Sequence, residues 1–164
     1  MISADLVLTR RGVRFANRVF PCAIGRGGVA LNKTEGDGVT PVGVHRITGC
    51  LYRPDRMPCP VPWAEPILPN DLWSDDSNDP DYNQLVHAPH DYSHERLCRA
   101  DPLYDLVLTT NWNWPVATPN LGSAIFIHCW RKPRHPTEGC IAFRPDHLLW
   151  VASRIDIGTR VIIA

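Results

Sequence analysis

Between residues 53 and 69 the chain carries six prolines: Pro54, Pro58, Pro60, Pro62, Pro66 and Pro69. Each fixes φ and removes a backbone donor, so neither a helix nor a central strand is expected there. The following DLWSDDSNDPD holds five aspartates and no base. Together these residues predict a long irregular insertion, about 53–82, within one domain spanning 1–164. Trp63 and Trp73 are the side chains expected to pin it to the body. Loops this long are uncommon and often functional, which makes this one a candidate substrate wall.

Outside the insertion the periodicities are short. ADLVLTRRGVRFA alternates apolar and polar residues as a strand, a turn at Arg11-Gly12 and a second strand. FPCAIGRGGVA is an apolar segment broken by glycines. Gly36-Asp37-Gly38 and Thr40-Pro41 signal turns, and VGVHRI after them reads as a strand. NQLVHA, DLVLTTNW, GSAIFIH, GCIAF and TRVIIA read as further strands, and SHERLCRAD as a short helix. RPDHLLWVASRI has the features of a real helix: Pro145 at the first position, Asp146 in the first turn, and an apolar face of Leu148, Leu149, Val151, Ala152 and Ile155. The expected fold is mainly β with one principal helix.

A chain of 164 residues suits one core. Seventeen acids balance seventeen bases, with no basic block, so neither nucleic acid nor a membrane surface is expected as a partner. The opening MISADLVLTRRG lacks a signal peptide's apolar core. The expected location is the cytoplasm, or the periplasm if a leader has been removed. Three disulfides are possible in principle for Cys22, Cys50, Cys59, Cys98, Cys129 and Cys140. Their spacing shows no compact framework, and free thiols are the expectation.

The chemistry concentrates in GSAIFIHCWRKPRHPTEGCIAF. His128 ends one apolar segment and Cys140 begins the next. If those segments are neighbouring strands, imidazole and thiol lie at one sheet end, as a base and a nucleophile require. Gly139 leaves approach to the sulfur open and permits unusual backbone geometry. The amides of Gly139 and Cys140 are therefore candidate oxyanion donors. Arg131, Lys132, Arg134 and His135 in the connecting loop form a basic rim, expected to lower the thiol pKa and attract a carboxylate. His128 and Cys129 are adjacent in a strand and should face opposite ways, which argues against a His/Cys zinc site. His87, His90 and His94 in HAPHDYSH are read as exposed or packing residues, because Pro89 breaks any shared helical face.

GSAIFIH followed by PTEGCIAF resembles the signature of the L,D-transpeptidase catalytic (YkuD-like) family: His at a strand end, then Ser/Thr-x-Gly-Cys-apolar. KTEGDGVTPVGVHRI is similar to the family's upstream segment, so the resemblance spans about residues 5–164. It implies a YkuD-like β-sandwich or mixed sheet and a cysteine enzyme acting on peptidoglycan stem peptides or muropeptides, with no metal or organic cofactor. Cys140 would be the nucleophile, His128 the base and Gly139 an oxyanion donor, with Thr137 bracing the turn. Where the common pattern has His and Arg, this chain has Glu138 and Ala142, and Arg144 is the expected replacement cation. Arg131, His135, Glu138 and Trp130 are expected at the substrate, the last as a groove wall. SHERLCRADPLYDLVL is similar to a segment in one branch of the family, which places His94, Glu95, Arg99, Tyr104 and Asp105 as candidates for the cleft. An i,i+4 surface pair of Glu95 with Arg99 is the alternative there. The expected reaction is L,D-carboxypeptidase hydrolysis, as in peptidoglycan recycling. Cross-linking onto an amine and a catalytically silent binding module are the alternatives.

Overall fold

The computed structural model describes residues 5–164. The chain opens with two tight hairpins. β1 (Leu6–Thr9) pairs antiparallel with β2 (Gly12–Phe15), and β2 with β3 (Arg18–Phe20). The second turn, Ala16-Asn17, has positive φ at both residues, the twist that a two-residue hairpin requires. β4 (Cys22–Ala23), β5 (Val29–Ala30) and β6 (Thr40–Pro41) are two-residue segments around the glycine-rich stretch. β7 (Gly43–Tyr52) is the longest strand, at ten residues.

The proline-rich stretch is not wholly irregular. β8 (Ala64–Pro66) runs parallel to the end of β7, on one side only, where a proline without an N–H is tolerated. The aspartate-rich stretch also contains a strand. β9 (Asp71–Ser74) sits between β10 (Leu85–His87) and β11 (His94–Arg96) in a small antiparallel sheet. The short helix expected in SHERLCRAD is therefore a strand followed by bends. The aspartates close turns rather than form a loose acidic face: Asp71 accepts from the Leu68 N–H, Asp76 from Asn78 and Asp79 from Asp81.

β12 (Leu106–Thr110), β13 (Ile127–Cys129) and β14 (Ile141–Phe143) complete the middle of the large sheet. α1 (Pro145–Ala152) and β15 (Arg160–Ile163) follow. The ten-stranded mixed sheet runs β3-β2-β1-β15-β7-β12-β13-β14-β4, with β8 on β7. Pro145 and Asp146 occupy the first turn of α1, as expected, but only Leu148, Val151 and Ala152 of the helix are buried. Leu149 is exposed, and Ile155 is buried beyond the helix end.

Strand alternation divides the core in two. Leu106, Leu108, Ile127, Cys129, Ile141 and Phe143 point to one face, where they meet Leu148 and Val151 of α1 and Val13, Phe15 and Phe20 from the hairpins. Val107, Phe126 and Cys140 point to the other, where Trp73, Leu97 and Tyr104 cover them. The proline- and aspartate-rich stretch, through Ile67 and Trp73, thus helps to roof the face that carries the thiol. Trp73 does the pinning expected of it, with its ring edge-on to Phe126 at 4.8 Å, while Trp63 packs on the first core.

Candidate active site

β13 and β14 are parallel neighbours, with His128 opposite Ala142. Cys140 precedes Ala142 by two residues and shares its face. The Ile141 N–H donates to the Phe126 carbonyl, which carries the register back to the thiol. Strand spacing and rise then put the Cα atoms of His128 and Cys140 roughly 8 Å apart on one diagonal. Both line a cleft of about 440 Å³. Cys129, by contrast, is buried in the opposite core. All six cysteines are free.

The imidazole is held in one tautomer by its own strand. Nδ1 lies 2.7 Å from the Cys129 carbonyl, an acceptor only, so Nδ1 carries the hydrogen and Nε2 is left as a base. The Tyr104 ring stands edge-on to the imidazole at 5.4 Å, and its hydroxyl donates to Glu95 at 2.5 Å. Burial pushes the His128 pKa down to about 4. The ring is therefore neutral at physiological pH.

The thiol differs from its sequence-based expectation. Burial pushes the Cys140 pKa up to about 12; the Phe126 N–H and Lys33 lower it, while Glu95 and Glu138 raise it further. The basic rim does not prevail, because desolvation of a thiolate outweighs distant, solvated arginines. The S–H donates to the Ala124 carbonyl at 3.0 Å and the sulfur accepts from the Phe126 N–H at 3.3 Å. Cys140 is 7% exposed, at the floor of the cleft.

The turn that presents the thiol is built from backbone contacts. Gly139 has φ of +138°, and a Cβ there would lie 2.7 Å from the Val39 carbonyl oxygen. A Cβ on Gly25 would lie 2.0 Å from the Gly38 oxygen and 2.9 Å from the Gly139 Cα. The glycines of GRGGVA and EGDGVT therefore allow three backbones to touch at this point. The buried Thr40 hydroxyl accepts from the Gly25 N–H and donates to the Gly139 carbonyl. Thr137 braces the turn as expected, donating to the Cys140 carbonyl at 2.6 Å. It also accepts from the Gly139 N–H, so that amide is already engaged. Of the two expected oxyanion donors, Cys140 N–H is the one with no acceptor among the described residues.

Arg131, Trp130, His135, Thr137 and Glu138 line the cleft. Arg144 does not: it sits at the N-cap position of α1 with its side chain held by Asp146, outside the cleft. His94 is also outside, exposed and bonded to the Tyr92 carbonyl, and Asp105 is paired with Arg56. Glu95, Arg99 and Tyr104 do line it, but Glu95 and Arg99 form no pair with each other; Arg99 binds Asp101. Glu138 is paired with Arg26, an exposed contact with little energetic weight. Lys33, Glu35 and Asp75 line the cleft without having been singled out as site residues. Only their return to one place through the fold reveals them. His87 and His90 are bound to Asp71 and Asp79, and no cluster of metal-ligating side chains occurs among the described residues.

Comparison with curated proteins and with solved structures returned no match. The profile of the L,D-transpeptidase catalytic domain, YkuD, matches residues 3–163, nearly the whole chain. That span takes in the Thr40 brace, the small sheet around β9 and the cleft shared by Cys140 and His128 alike, and the chain belongs to the YkuD family of L,D-transpeptidase catalytic domains.

Proposed function

We propose that the protein is an L,D-carboxypeptidase of peptidoglycan stem peptides, with Cys140 as nucleophile and His128 as base. The family carries cysteine-nucleophile chemistry on peptidoglycan; the residues and the acceptor are the substance of the proposal. The observation that carries it is that thiol and neutral imidazole line one cleft, beside an unengaged Cys140 amide.

With the thiol pKa near 12 and the imidazole near 4, no ion pair is stored in the free site. The proton passes from sulfur to Nε2 in step with attack on the carbonyl carbon at the L-centre of the diamino acid. The Cys140 N–H receives the developing oxyanion. As the C–N bond breaks, Nε2 returns its proton to the departing amine of D-alanine, leaving a thioester. Water then attacks, gives its proton to Nε2, and the thiol is regenerated as the shortened peptide leaves with a free carboxyl group.

A cleft of about 440 Å³ suits one short peptide. Cys140 is only 7% exposed, so a small second reactant such as water reaches it most readily. One observation favours an amine instead. Asp75 lines the cleft, and its Oδ1 is enclosed without a hydrogen-bond partner, a ready acceptor for an ammonium group. Incubation with a meso-diaminopimelate tetrapeptide separates the two readings. Intact-mass analysis should show an acyl adduct on Cys140, with tripeptide and free D-alanine accumulating. Cross-linked dimers without tripeptide would replace water by an amine, and no adduct with no product would remove the cysteine reading.

A further inference from the structure

The charges lining the cleft are almost all spoken for. Lys33 is paired with Asp37 at 2.5 Å, Glu138 with Arg26, and Glu95 accepts from Tyr104. The exception on the cationic side is a trio. Arg99 binds Asp101 through Nε at 2.9 Å and Nη2 at 2.6 Å, and Arg131 reaches the same carboxylate at 3.5 Å. Two guanidinium groups share one carboxylate, so one positive charge is uncompensated within the trio. Both arginines line the cleft.

Arg99 is also held in place. Its fork to Asp101 uses one edge of the guanidinium and leaves Nη1 without a partner among the described residues. Its Cζ sits 5.4 Å from the centre of the Tyr104 ring, whose edge meets the His128 imidazole. Three successive backbone carbonyls, those of Arg99, Ala100 and Asp101, accept from Arg53 and Arg56 of the proline-rich segment. The guanidinium therefore projects from a braced backbone, one aromatic ring away from the base. A planar fork with a free edge is the geometry that recognises a carboxylate.

We propose that Arg99, assisted by Arg131, binds the terminal carboxylate of the amino acid that leaves, making the enzyme specific for a free carboxyl terminus. The inference rests on the Cys140 reading for the place of the scissile bond. A peptide seated with its scissile carbonyl over Cys140 has its last carboxylate only one residue further along. Arg99 is thus a specificity-determining residue, and Asp101 is the positioning residue that sets its fork.

Calorimetric titration of the Cys140→Ala protein with tetrapeptide, as the free acid and as its carboxyl-terminal amide, tests this without turnover. The acid should bind about tenfold or more tightly than the amide, as one charge-assisted contact allows. Arg99→Gln in that background should bring the two affinities together, Arg99→Lys should restore part of the difference, and Arg131→Gln should reduce it less. Arg131 is half exposed, so its variant keeps the test open should Arg99→Gln fail to fold. Equal affinity for acid and amide in the Arg99-intact protein would overturn the proposal even where the acyl adduct forms. Acid preference unchanged by both Arg99→Gln and Arg131→Gln would overturn it as well. A preference that vanishes with Arg99 supports it even where no adduct is seen.

Discussion

The two faces of β12–β14 are made from alternate residues of the same strands, yet they are built in opposite ways. One face is apolar throughout and closed by α1, with Phe143 and Leu148 fully buried and Phe20 edge-on to Phe143 at 6.4 Å. The other carries Phe126, Cys140 and His128, roofed by a small sheet whose members include Trp73, Glu95 and, just beyond, Tyr104. The first face is continuous packing. The second mixes aromatic rings with hydrogen bonds to single buried groups. The lesson is one of division: the first face secures the strands, so the second can hold a desolvated thiol and imidazole that contribute nothing to stability as charges.

Substitutions across the sheet test that division. Cys140→Ala should abolish acyl-adduct formation while the thermal transition stays close to that of the parent. Cys129→Ala, one strand over and facing the other way, should lower the transition and slow adduct formation without abolishing it. Phe143→Ala should cost about 3–5 kcal/mol by chemical denaturation, the range for a large core aromatic; a loss below 1 kcal/mol would mean that this face is not the anchor.

Acid titration probes the second face. The imidazole titrates at about 4 in the folded protein against 6.5 ordinarily. Between those values the unfolded chain binds more protons, so stability falls as pH drops from 6.5 towards 4, by about 3 kcal/mol in all. Replacing His128 with Gln should flatten that part of the stability–pH curve. In the parent, kcat/KM should persist at pH 5.5, where an ordinary imidazole is mostly protonated; a midpoint near 6.5 would refute the desolvated base.

Thr40→Val should be smaller, about 1–3 kcal/mol, because it strands the Gly25 N–H and the Gly139 carbonyl. Its activity loss should exceed that of any stability-matched substitution on the α1 face. Smallest of all, Glu138→Gln should change stability by less than about 1 kcal/mol, as an exposed pair does.

Much of this was legible in the chain itself. The alternation that sends His128 and Cys129 to opposite faces follows from strand geometry alone. The helix over Pro145–Ala152 announces itself by Pro145, Asp146 and its apolar spacing. Two kinds of feature escaped. β9 hides in DLWSDD because turn-forming aspartates flank only four strand residues, and strand identity came from pairing with β10 and β11 rather than from composition. Charge assignments escaped for a different reason. The Cys140 pKa depends on how deeply the sulfur is enclosed, and Arg144 turns away to Asp146 while Arg99 turns in; neither is a property of sequence spacing. The engaged Gly139 amide likewise depends on where the Thr137 rotamer points.

His128 takes its orientation from the carbonyl of the very next residue, whose side chain is planted in the opposite core. The aim of the proposed general base is therefore geared to the packing around Cys129 through a single peptide unit. Loosening that core by mild heat or denaturant should swing the ring before the sheet comes apart, so that activity fades ahead of the global melt.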